Sequence, residues 1–357
     1  IPVIATVMGI GSMHKDDPFY IGATGGLGEG SANNLSRDTD LALAIGTKLA
    51  DFTTASWTNF QNENFKLVSV NTSRFDTVKH RAFPVVSDAK IGLKELSKAL
   101  GDWKAPNGWY QRAIEEKIKW EEYVAKESGP TNQELPSYAH AVGAVYRNSD
   151  PSDIVVTAAG GLVGEVVQIW KPKEINTFET EWGFSCMGYE ISGALGIKMA
   201  KPDQDVVVFV GDGSYLLQNS DIYSSVLYDK KLIIVVCDNG GHMVINRLQL
   251  AKGGKEYLCN LNAAGATNLQ FVDFEAHAKS MGANAETVKS TSELEAAFKR
   301  AKASDKTYVI SMKTDGYEWL EGTAFWDSPT LQVSSTKENK AAYEEFVDGK
   351  NKQRKGV

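Results

Sequence analysis

The run VVVFVGDGSYLLQ (Val206–Gln218), followed after a short gap by LIIVVCDNGG (Leu232–Gly241), decides how this chain folds. Each begins as an unbroken apolar stretch, Val206–Val210 and Leu232–Val236. A strand without alternation is buried on both faces, the habit of parallel sheets covered by helices. Between the two stretches, Tyr215, Ile222 and Val226 run beside Leu216, Tyr223 and Leu227 at steps of seven and four. That spacing predicts one face of a helix. Strand, helix and returning strand make a right-handed crossover. Asp212 and Asn239 then leave the same carboxyl edge on neighbouring strands about 4.8 Å apart. That edge is where such sheets take ligands.

Working outward, further short apolar runs at Leu41–Ile45, Lys66–Val70, Ile154–Thr157 and Tyr308–Met312 alternate with helical patterns. The fold class is α/β, with parallel sheets flanked by helices. Polar residues with two prolines, from Lys126 through Pro136, predict a linker. The expected division is residues 1–125, the linker 126–136, a ligand-binding domain over 137–330, and a C-terminal helix and tail over 331–357. Lys337 to Phe346 predicts the last amphipathic helix, and the basic Lys350 to Lys355 a solvated tail. Ile1 to Val7 reads as a strand met in its middle, the expectation for a piece of a longer polypeptide.

A net charge of -7 and a pI near 5.4 exclude a general nucleic-acid binder. No stretch reaches the roughly 20 apolar residues of a membrane helix, and three scattered cysteines make no disulfide framework. The expectation is a cytoplasmic protein.

Magnesium takes oxygen ligands, often one or two carboxylates plus phosphate oxygens. Asp212 offers a carboxylate, Asn239 an amide oxygen and Gly241 a carbonyl, while the amides of Gly213 and Ser214 open the next helix toward a diphosphate. Alone, the Gly211-Asp212-Gly213 triplet is a common turn. The asparagine 27 positions later, followed by Gly240-Gly241, selects the metal-binding reading.

GDGSYLLQ with IIVVCDNGG resembles the cofactor motif of the thiamine-diphosphate enzymes, the family of pyruvate decarboxylase and acetohydroxyacid synthase. The resemblance implies that Asp212, Asn239 and the Gly241 carbonyl bind Mg2+, with Gly211, Gly213 and Ser214 at the diphosphate. Asp238 departs from the asparagine that many members carry. The loop Gly183–Glu190 matches the segment that holds the aminopyrimidine, with Met187 bending the cofactor and the Ser185 carbonyl accepting from its amino group. Thr157-Ala158-Ala159-Gly160-Gly161 resembles the second diphosphate loop. The fold it implies is a partial nucleotide-binding-like middle domain and a cofactor-binding domain, without the N-terminal pyrimidine domain.

EWGFSCMGYEISGALG (Glu181–Gly196), DFTTAS (Asp51–Ser56), INRLQ (Ile245–Gln249) and FWD (Phe325–Asp327) resemble, more narrowly, the branch that hydrolyses a trihydroxycyclohexane-1,2-dione in inositol catabolism. A decarboxylase or carboligase like acetolactate synthase, and a cofactor-holding subunit inactive without a pyrimidine domain, are the alternatives. The resemblance also implies a homodimer or homotetramer and an activating glutamate from a pyrimidine domain outside this chain. Glu165 and Glu190 read as helix-surface or packing carboxylates, and His242 as a candidate proton donor or a packing ring. The glycine-rich Gly22–Gly30 follows no clear strand and reads as a turn, so FAD is not expected.

Overall fold

The computed structural model describes residues 1–322 and 324–354. The N-terminal part runs β1 (Val3–Ala5), β2 (Tyr20–Ala23), α1 (Gly30–Asp38), β3 (Leu41–Ile45), β4 (Lys66–Asn71), α2 (Arg74–Val78), β5 (Phe83–Val86), α3 (Ala89–Leu100) and the long α4 (Asn107–Glu127). Then come α5 (Tyr138–Arg147), β6 (Ile154–Thr157), α6 (Leu162–Ile169), β7 (Phe178–Thr180), α7 (Tyr189–Ala200) and β8 (Val206–Gly211). Next are α8 (Asp212–Leu217), α9 (Asp221–Leu227), β9 (Ile233–Asp238), α10 (Met243–Ala251) and α11 (Phe274–Ser280). The chain closes with β10 (Asn284–Val288), α12 (Thr291–Ala303), β11 (Tyr308–Lys313) and α13 (Lys337–Asn351).

Six parallel strands form the main sheet in the order β10-β11-β9-β8-β6-β7. Its two faces carry separate cores. Val207, Phe209, Ile233, Val235 and Ile310 face α5, α6 and α12. Val206, Val208, Val210, Ile234 and Val236 face α7, α8, α9 and α11. Burial on both sides is why these strands read as unbroken apolar runs. Each such side chain contributes about 1.5–3 kcal/mol by leaving water.

The expected single helix after β8 is two. Asn219 donates to the Tyr215 carbonyl at 3.0 Å and ends α8 before α9 starts. Only one of the two apolar rows is core: Tyr215 and Ile222 are fully buried, while Leu216, Tyr223 and Leu227 are exposed.

In the N-terminal part, β1 pairs with β2, and β3, β4 and β5 form a second parallel sheet. Residues of β1 and β2 belong to the same core as α5 and α6: Ala5, Tyr20 and Ala23 share it with Val142 and Val166. Residues 126 and 127, expected in the linker, complete the last turn of α4.

Gly22–Gly30 does follow a strand, β2, and enters α1, contrary to the sequence expectation. Its amides are used within the protein. Gly25 N donates to Asn33, Gly26 N to the Phe52 carbonyl and Glu29 N to the Ala23 carbonyl. It is a packed turn between layers.

The chain end departs from a solvated tail. Arg354 donates to the carbonyls of Phe60 and Asn62, both at 3.1 Å, and Gln353 to that of Ser56 at 2.9 Å. Long side chains pin it because the loop at residues 56–65 presents carbonyls that no sheet uses. Lys355 lies outside the described residues.

Candidate functional site

Parallel pairing sets Gly211 beside Cys237, so the turns after β8 and β9 emerge together. The Gly241 amide donates to Asp212 Oδ2 at 2.8 Å, joining the two turns. Asn239 Oδ1 is buried without a hydrogen-bond partner among the described residues. Asp238 is already served: it accepts from Gly240 N at 3.0 Å and pairs with Lys313, its neighbour in register on β11.

Asp212 has no such cation among the described residues. Burial, and then the charge of Asp238, push its carboxyl up to about 7 despite the amides of Gly241 and Gly213. A buried carboxylate without a cation and, on the adjoining turn, a buried amide oxygen without a partner are each costly by themselves. Together they are a fitting donor set for a hard divalent cation.

Gly213 is the floor of the site. A Cβ there would lie 2.7 Å from His242 Cε1 and 3.4 Å from Met187 Cε. The His242 ring and the Met187 side chain therefore converge over one residue whose lack of a side chain leaves the space. Met187 is 36% exposed, which removes it from the ordinary core. Its loop is shaped by Glu181, which accepts from Phe184 N at 3.2 Å and Cys186 N at 2.7 Å. Ser185 sits at φ 52° with its hydroxyl 3.5 Å from the Ala158 carbonyl. The Met187 loop thus touches the Thr157–Gly161 loop.

On that second loop Gly160 has open space, whereas a Cβ on Gly161 would overlap the Trp319 ring. Trp319 comes from the turn after β11, a fifth loop at this edge that the sequence reading overlooked. Its position after an apolar strand at the same edge was the available signal. Unpartnered buried oxygens collect here: Thr157 Oγ1, Thr314 Oγ1 and Asn246 Oδ1 join Asn239 Oδ1. Against Asn239, α10 and Gly316, a cleft of about 290 Å³ opens, lined by Asn246, Arg247, Leu250, Tyr317 and Trp319.

The two glutamates read as surface or packing groups are both buried, Glu165 to 4% and Glu190 to 1% exposure. Helical spacing could not reveal this, because α6 is buried along its whole length and the first turn of α7 is covered by loops distant in the chain. Glu165 accepts from Leu320 N at 3.1 Å and leaves its other oxygen unpartnered. Burial pushes its carboxyl up to about 7.

The folded chain thus holds a proton on Glu165 between about pH 4.5 and 7 that the unfolded chain releases. Stability from this group is greatest below that window and falls as pH rises through it. Its cost above pH 7 is about 3 kcal/mol, at about 1.4 kcal/mol per pH unit. Glu165→Gln is therefore expected to raise Tm by several degrees at pH 8 and by almost nothing near pH 4.5. Thermal unfolding across that range checks it; a difference constant with pH contradicts the assignment.

Residues 158–312 match the family model described as thiamine pyrophosphate enzyme, C-terminal TPP binding domain. Residues 1–96 match that of the thiamine pyrophosphate enzyme central domain. The chain is 32% identical to a 3D-(3,5/4)-trihydroxycyclohexane-1,2-dione hydrolase of Lacticaseibacillus casei, over 99% of this chain and 58% of the relative. Proteins of the same name from Listeria monocytogenes serovar 1/2a and Bacillus subtilis are 35% and 32% identical, over 97% and 96% of this chain. The chain spans 58% of the length of each of these curated relatives. No helix among the described residues is long and apolar enough to cross a membrane.

Proposed function

The chain belongs to the thiamine pyrophosphate enzymes, and from that premise we propose that it carries the cofactor-holding half of an enzyme that hydrolyses a C–C bond of a cyclic 1,2-diketone. The observation that carries the reading is the pairing of buried Asp212 with the unpartnered Asn239 Oδ1 across two adjacent strand ends. The name shared by the relatives supports the substrate class, a trihydroxycyclohexane-1,2-dione.

In this reading Asp212, Asn239 and the Gly241 carbonyl hold Mg2+. Gly160, Gly161, Gly211, Gly213 and Ser214 face the diphosphate, and Ser185 and Met187 meet the aminopyrimidine. When bound, thiamine diphosphate supplies an electron sink for cleavage beside a ketone. The chain's own groups position and protonate. Met187 and His242 close over Gly213 and restrict what approaches it, and the His242 imidazole is the candidate proton donor to the reacting carbonyl, or a packing ring beside it. The activating carboxylate comes from a pyrimidine domain outside residues 1–357, in a longer chain or a partner subunit. The assembly is a cytoplasmic homodimer or homotetramer.

Titration calorimetry with thiamine diphosphate, with and without Mg2+, is expected to show binding only in the presence of the metal. Supplying a relative's pyrimidine domain and offering trihydroxycyclohexane-1,2-dione beside pyruvate then tests the reaction. Ring opening of the diketone supports the reading, and acetolactate from pyruvate without ring opening overturns it.

A further inference from the structure

Glu190 lies one residue inside α7, buried to 1% exposure, with no Lys or Arg paired to it among the described residues. Its two oxygens serve different segments. One accepts from Ala159 N, in the loop after β6, at 3.2 Å. The other accepts from Gly188 N, in the turn that carries Met187, at 2.8 Å. The two donors belong to two of the stretches that close around the diphosphate and pyrimidine in the proposed function.

An uncompensated buried carboxylate is expensive, and an apolar side chain of equal size fills the same volume more cheaply. Such a residue would strand two donors that sit on separate loops. Helix α7 favours an anion at its first turn, which offsets part of the cost. What the carboxylate achieves is connection: it ties the loop after β6 to the turn that carries Met187.

We propose that Glu190 is a positioning residue that fixes the Ala158–Gly161 and Gly183–Gly188 loops at one spacing before a ligand arrives. It rests on the cofactor site of the proposed function but is read from this chain alone. A preset cradle avoids ordering both loops at the moment of binding, and affinity rises accordingly.

The test uses the full chain. In Glu190→Gln the side chain keeps its volume but offers one accepting oxygen in place of two. Hydrogen exchange in the unliganded protein is expected to accelerate at Ala159 and Gly188 together, with amides of β10 and α12 unchanged. Affinity for thiamine diphosphate with Mg2+ is expected to fall about tenfold.

Unchanged exchange at both Ala159 and Gly188 in Glu190→Gln overturns the inference. A purely structural carboxylate would alter global stability without this local pattern. If the unsubstituted chain takes up no thiamine diphosphate, the proposed function fails, while the exchange measurement still decides the role of Glu190.

Discussion

Replacing Asp212 by asparagine is expected to abolish metal-dependent binding of thiamine diphosphate, weakening it more than about 100-fold. Loss of a surrounding hydrogen-bond partner already costs about 10–100-fold at metal sites, and a ligating carboxylate costs more. No other group can substitute, because the neighbouring Asp238 is committed to Lys313 and the Gly240 amide. The same change acts in the opposite direction on the unliganded protein. Asp212 is buried and repelled by Asp238, so its charged form opposes folding, and that cost grows as pH rises toward and past about 7. Asp212→Asn is therefore expected to have a higher Tm than the unsubstituted chain at pH 8 without Mg2+, and to gain nothing when metal and cofactor are added. Calorimetric titration and thermal unfolding with and without Mg2+ read both effects. Retained metal-dependent binding would remove Asp212 from the site.

Gly241→Ala is expected to be nearly as damaging, through the backbone. Gly241 sits at φ 142°, a conformation that side chains other than hydrogen rarely adopt. A Cβ there would also overlap the Cys259 carbonyl oxygen. That carbonyl accepts from His242 N at 2.8 Å, so it cannot retreat without releasing the next residue. The substituted turn must move, and with it the Gly241 amide that holds Asp212 and the His242 ring over Gly213. A stability loss of about 2–4 kcal/mol is expected from strain and overlap together, with Mg2+ affinity in the presence of cofactor lower by about 100-fold. Gly196→Ala provides the contrast. It lies within α7, its Cβ would enter open space, and it is expected to be neutral or to stabilise by up to about 1 kcal/mol. Equal effects from the two substitutions would mean that the Gly241 turn is not special.

The parts of the fold most legible in the sequence were continuous apolar runs, including the exposed edge strand Leu41–Ile45. Ile154–Thr157, Val206–Val210, Leu232–Val236 and Tyr308–Met312 are strands because such runs, buried on both faces, have few other uses. Edge strands without such a run escaped. Asn284–Val288 is mostly polar, Phe83–Val86 contains Pro84 and pairs with one neighbour only, and Phe178–Thr180 is three residues long. None carries a run or a clean alternation. At the site, Asp212, Asn239, Gly241 and Met187 were visible because short motifs at strand ends fix them locally. Glu190 and Trp319 were not. The burial of a carboxylate and the wedging of a ring against Gly161 are decided by residues distant in the chain, which no local pattern records.

The sharing of one core by β1, β2, α5 and α6 has a consequence for recombining this protein with its relatives. Cutting at residues 126–136 would not yield two self-sufficient modules, because Ala5, Tyr20 and Ala23 would leave Val142 and Val166 facing water. The exchangeable unit is discontinuous in sequence: the first helix and its two strands travel with everything after Asn107. The sheet of β3, β4 and β5, which already shows Leu41, Leu43 and Phe83 to solvent, is the piece a chimera could replace.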